Sequence, residues 1–83
     1  MRWMADITFK PGSGPEMAPL VPKEQEHIKE LRERGVVDQL YMIEKRDHVW
    51  IIMEGESQDA VEQELRAFPL YPYMNLQVLS LLS

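Results

Sequence analysis

Residues 48–53 read HVWIIM. Apolar side chains fall on both parities of this run, so an extended chain here is apolar on both faces. A strand of that kind has to be covered on both sides. The chain has 83 residues, which is material for a single domain, 1–83, with one small core. The rest of the sequence has to supply the two covers.

Other extended segments lie on either side. RWMADITF, residues 2–9, alternates: Trp3, Ala5, Ile7 and Phe9 share one face, and Met4, Asp6 and Thr8 share the other, the pattern of a half-buried strand. VVDQLYMIEK, residues 36–45, reads as a second strand, joined to 48–53 as a hairpin through a tight turn at Arg46-Asp47. A last strand runs from about Asn75 to Leu81.

Two helices separate these strands. Pro22 suits a first helical turn, where its missing N–H costs nothing. Lys23 to Arg34 then reads as a helix stopped by Gly35. Ile28 and Leu31 mark its buried stripe. Stepping back three and four residues reaches Glu24 and His27, while Lys29, Arg32 and Glu33 read as the outward face. Ser57 caps a second helix over Gln58 to Phe68, with a stripe of Val61, Leu65 and Phe68. The stretch PGSGPEMAPLVP, residues 11–22, is rich in proline and glycine and reads as a long loop, able to act as a lid or to wrap a partner.

The order βαββαβ specifies an α+β domain of ferredoxin-like arrangement, with an antiparallel four-stranded sheet and both helices on one face. The helices supply one cover. The other face carries some of Tyr41 or Met42, Trp50 or Ile51, and Leu79, and a second copy of the chain would cover it.

Composition narrows the function. Fourteen acids against nine bases leave a net charge of -5, which opposes nucleic-acid binding. Cysteine is absent, which removes disulfides, thiol catalysis and thiolate metal sites. No apolar run is long enough to span a bilayer, and MRWMADITF lacks the pattern of a signal peptide, so a cytoplasmic protein with no membrane partner is expected. Two histidines on separate elements make no metal set, and no glycine-rich phosphate loop stands between a strand and a helix.

The run FPLYPYM, residues 68–74, closely resembles the LPLFPYM run of muconolactone isomerases, and MNLQV after it is similar to their MDIEV. From Arg34-Gly35 to Val78 the two patterns lie together without a gap, Leu40, Ile43, Ser57, Ala60 and Leu65 included. Thr8 and Lys10 of the first strand are similar as well. The resemblance implies a dimeric α+β barrel, in which two subunits pack their sheets face to face, and sometimes a larger ring of such dimers. It also implies a cofactor-free isomerase that removes a proton next to a carbonyl and returns it elsewhere on an allylic system. Glu24 matches a glutamate of the family's first helix, and Tyr73 matches the tyrosine of its PYM run. Asp38-Gln39 stands where the family has an Arg-His pair, Met42 where it has a strand arginine, and Val49 where it has an asparagine.

Glu24 is the candidate base, since partial burial raises a carboxyl pKa; the bland alternative is a first-turn acid favoured by the helix dipole. His27 is the candidate assistant, or a histidine with a local hydrogen bond. His48 reads as structural. Tyr41, Trp50, Tyr71 and Tyr73 are candidates to line a ligand pocket, or else core and dimer contacts. Asp6 and Thr8, with Gln77, make either a polar patch beside the ligand or an interfacial face. The functional expectation is proton transfer or isomerisation of a small, mostly apolar oxygenated molecule, needing no cofactor and no metal. The alternative is a non-catalytic dimeric module that binds a ligand or partner on the same fold.

Overall fold

The doubly apolar strand lies inside the sheet. The computed structural model describes residues 1–43, 45 and 48–82. In it β3 (His48–Glu54) pairs antiparallel with β1 (Arg2–Phe9) on one side and with β2 (Val37–Met42) on the other, and β4 (Met74–Ser80) lies beyond β1. The strand order is β2-β3-β1-β4. The expected turn at Arg46-Asp47 lies outside the described residues.

The register turns the alternation of each strand into rows across the sheet. Leu40, Ile51, Ala5 and Val78 form one row, and Tyr41, Trp50, Asp6 and Gln77 form the next, pointing the opposite way. The first row faces the helices. A bulge between Val37 and Gln39 sets the phase of β2. It leaves Asp38 exposed, where it meets the Arg2 guanidinium at 2.9 Å.

Among the described residues, three α-helices lie along the chain. α2 (Val21–Glu33) carries Pro22 in its first turn, and Gly35 follows it at φ 76°, a left-handed conformation suited to glycine. α3 (Gln58–Arg66) is capped as expected, the Ser57 hydroxyl accepting from the Ala60 N–H at 3.2 Å. It stops two residues short of Phe68, whose N–H closes a tighter turn on the Leu65 carbonyl.

The segment 11–22 corrects an expectation. It is not a loop throughout but holds a one-turn helix, α1 (Gly14–Met17), and a 3-10 turn (Ala18–Leu20) running directly into α2. Each of its helical pieces has a proline at the start, the one place where proline costs a helix nothing. The second correction falls on Pro72. Proline disfavours helical backbone in the residue before it, so Pro72 predicts an extended lead-in to the last strand, but Tyr71–Tyr73 form a 3-10 turn, and the chain becomes extended only at Met74.

Ile7, Leu31, Ile51, Met53, Val61 and Leu65 are completely buried between the helices and one sheet face. Each such side chain contributes roughly 1.5–3 kcal/mol by leaving water. The other sheet face has no cover among the described residues: Tyr41 is 54% and Leu79 37% exposed, and Met4, Trp50 and Ile52 are partly exposed beside them. Among the described residues no helix is long and apolar enough to cross a membrane.

Candidate active site

α2 and the sheet leave open space between them. Between the first turns of α2, the lead-in segment and the strands is a cleft of ≈ 930 Å³, within the size range of small-molecule sites. Ile7, Val49 and Ile51 form part of its floor, Met17 and Val21 one wall, and Ile28 the helical wall. Glu24, Gln25 and Arg32 are the polar residues that reach it.

Glu24 is the innermost of the three. Its spacing of four from Ile28 puts it on the buried stripe of α2, and only 7% of it is exposed. Its Oε1 accepts a hydrogen bond from the Leu70 backbone N–H at 3.3 Å. Burial pushes its pKa above the ordinary value, and the Leu70 N–H opposes that shift more weakly. The donor is set by the proline-aromatic run: the Tyr71 N–H donates to Phe68 O and the Tyr73 N–H to Leu70 O, both at 2.9 Å, and this turn holds Leu70 against the helix.

The eight residues picked out from the sequence do not gather in one place. His27 sits one turn from Glu24 but lies outside the cleft lining. Its ring meets Phe68 edge-on with centroids 4.9 Å apart, and its buried Nε2 has no hydrogen-bond partner among the described residues. Tyr71 and Tyr73 pack against the core in the 3-10 turn and also stay out of the lining. Asp6, Thr8, Tyr41 and Trp50 lie on the opposite face of the sheet. There the Asp6 carboxylate pairs with His48 Nε2, and the His48 ring packs on Trp50 with centroids 4.5 Å apart. Among the described residues, no three side chains of His, Asp or Glu come together as a metal-binding group.

Two polar members of the cleft escaped the sequence reading, Gln25 and Arg32. Arg32 was expected among the outward residues, and it is exposed, but at four residues from Ile28 and eight from Glu24 it also borders the cleft. A long side chain can border an apolar cavity while its charge stays in water. The spacing 24, 28, 32 carried that signal.

The model of the muconolactone delta-isomerase family matches residues 3–83. No curated protein matches the chain by sequence. Among solved structures, a muconolactone isomerase superposes with a TM-score of 0.83 at 23% identity, covering 100% of this chain and 90% of that one. A 5-chloro-2-hydroxyhydroquinone dehydrochlorinase from Burkholderia phenoliruptrix, in complex with 2,5-dihydroxybenzoquinone, gives 0.82 at 16% identity, covering 99% and 94%. At these identities the two structures speak for the fold.

Proposed function

We infer the function of this chain from one premise: it belongs to the muconolactone delta-isomerase family. Membership of that family supports a small-molecule enzyme. The finer reading is a cofactor-free proton transfer that shifts a double bond in a small, mostly apolar oxygenated substrate. The observation that carries it is the Glu24 carboxylate, buried at the inner end of an apolar cleft with its pKa raised.

The steps balance without an outside reagent. The Glu24 carboxylate takes a proton from the carbon next to a carbonyl. The C–H electron pair becomes a carbon–carbon double bond, and the carbonyl pair moves onto oxygen. The same carboxyl then gives the proton back at the far end of the allylic system, the oxygen pair returns to the carbonyl, and the double bond has moved. A raised pKa brings the carboxylate closer to the acidity of the carbon it serves. The side-chain amide of Gln25, beside Glu24 in the lining, has N–H groups suited to the oxygen where charge develops. Tyr71 and Tyr73 serve through the turn that aims the Leu70 N–H, and His27 through its packing on Phe68.

The test is deuterium wash-in from D2O, followed by NMR on a panel of small unsaturated lactones and cyclic enones. The wild-type chain exchanges the proton next to the carbonyl in at least one of them, and Glu24→Gln loses about 100-fold or more of that rate. Equal exchange by the two proteins would overturn the assignment. The apolar Met42 and Val49 in the lining, where the family's pattern has an arginine and an asparagine, favour the second reading of a binding module. Tight ligand binding with no exchange in the wild type would select it.

The open sheet face supports self-association. Met4, Tyr41, Trp50, Ile52 and Leu79 surround the Asp6–His48 pair, and a second copy placed face to face would bury them. In this reading Asp6, Thr8, Tyr41 and Trp50 belong to the subunit interface of a homodimer.

A further inference from the structure

We propose that Lys10 is a positioning residue for Glu24: it clamps the 70–73 turn and thereby fixes the Leu70 N–H that meets the carboxylate. The proposal rests on the reading of Glu24 as the base and adds the device that holds it. Lys10 follows β1 directly and joins three pieces of chain. Its backbone N–H donates to the Tyr73 carbonyl at 2.8 Å, and its ammonium donates to the Pro72 carbonyl at 3.0 Å. Its own carbonyl accepts from the Ser13 hydroxyl at 2.6 Å. Ser13 is buried and caps the start of α1, the helix that supplies the Met17 wall.

The links run without a break from Lys10 to the carboxylate. The Tyr73 N–H donates to Leu70 O at 2.9 Å, and the Leu70 N–H donates to Glu24 Oε1 at 3.3 Å. Pro72 has no N–H, so the backbone there can be tied by a hydrogen bond only through its carbonyl. The Tyr71 carbonyl is taken by the Met74 N–H, and the next two carbonyls, of Pro72 and Tyr73, both accept from Lys10. A lysine suits this place, because the last carbonyls of a helical turn lack partners within it. Without the ammonium the turn keeps its backbone tie at Tyr73 but loses the one at Pro72, and the Leu70 N–H is held less firmly. That N–H is the group that favours the charged form of Glu24 against burial. Among the described residues Arg32, on the same helix, is the other charged side chain of the lining; the strands, the lead-in and the turn present apolar side chains there. A looser turn therefore moves Glu24 further toward its neutral form.

The experiment follows the Glu24 side-chain carboxyl by carbon NMR through a pH titration in wild type, Lys10→Met and Lys10→Arg, with hydrogen exchange at the Leu70 amide as a second readout. About 0.5 M salt screens the change of charge at this exposed site. Lys10→Met keeps the stem of the side chain and removes its donor. Its Glu24 titrates at higher pH than in the wild type, its Leu70 amide loses protection, and deuterium exchange into substrate slows about two- to tenfold, the scale of one hydrogen bond. Lys10→Arg restores most of all three, since a guanidinium can also donate to Pro72 O. Ile52→Ala, which perturbs the opposite sheet face, leaves the Glu24 titration in place. The proposal is overturned if Glu24 titrates in Lys10→Met as in the wild type, or if Ile52→Ala moves it as far. Failure here is separable from failure of the base. Lost exchange in Glu24→Gln with an unmoved titration in Lys10→Met removes only the role of Lys10. A moved titration in a chain that exchanges no proton keeps the positioning and removes only the reaction.

Discussion

The two faces of one sheet hold their acids in opposite settings. On the helix-covered face Glu24 is buried among apolar side chains, with one backbone N–H for company and a raised pKa. On the open face Asp6 is half-buried and pairs directly with His48. The Asp6 carboxylate is thus engaged by a neighbouring side chain. Glu24, buried and in contact with no cationic side chain among the described residues, holds its proton more tightly, as a proton-transferring carboxyl needs. Under the proposed function, burial without a counter-charge is what singles out the helix-covered face, and aromatic content is not, because Tyr41 and Trp50 lie on the other side.

Substitutions can break this comparison, and the largest effect expected is on rate. Glu24→Gln lowers proton exchange about 100-fold or more, while Asp6→Asn changes it by less than about threefold, because the sheet separates Asp6 from the cleft. A drop of comparable size in Asp6→Asn would abolish the distinction between the faces. Next come the neighbours Ile51 and Ile52, which point to opposite sides. Ile51→Ala opens a hole in the core and costs about 2–5 kcal/mol by urea or thermal denaturation. Ile52→Ala costs about 1 kcal/mol or less in a dilute, dissociated chain, rising with protein concentration if a second copy covers it. Smaller in folding energy is Trp50→Glu, which leaves the subunit folded and converts the assembled species to monomer in sedimentation velocity. A wild type that sediments as a monomer at micromolar concentration would sink the covered-face argument itself.

Much of this was legible from residue order. Period-two alternation in RWMADITF assigned Trp3, Ala5 and Ile7 to the core and Asp6 and Thr8 to the far face, and the sheet register agrees. Ser57 and Gly35 were readable because a cap and a left-handed residue are local chemistry. The 11–22 segment was not, since prolines that break a helix in its interior are tolerated at its start, and composition alone does not separate the two cases. The cleft was half legible. The phase of Glu24 against Ile28 and Leu31 pointed inward, but the hydrogen bond from Leu70 depends on how the 70–73 turn folds back onto α2. The proline-aromatic run therefore has a role that its local pattern did not show: it delivers a backbone donor to the buried carboxylate. Arg32 was missed because an exposed charged residue looks like a solvated one until the cavity beside it is seen.

The smallest effect sharpens the comparison on the Glu24 side alone. Its folded-state pKa lies above the ordinary 4.5 because burial penalises the charged form. Between 4.5 and that raised value the unfolded chain has already released the proton and the folded chain still holds it. The folded state then binds more protons, so raising pH through this window favours unfolding. The contribution of neutral Glu24 is fully present below 4.5 and is lost as pH climbs through the folded value. Glu24→Gln has no proton to lose there, and its amide oxygen can still accept from Leu70. The variant should match the wild type at about pH 4 and exceed it in stability at about pH 8, with the difference growing across the window and then levelling. Taking the difference between the two proteins cancels the titration of the other carboxylates, including Asp6. Paired denaturant melts across this range measure it directly. A difference that shrinks with rising pH would mean that Glu24 is held as a stabilised anion, and the base assignment would lose its physical ground.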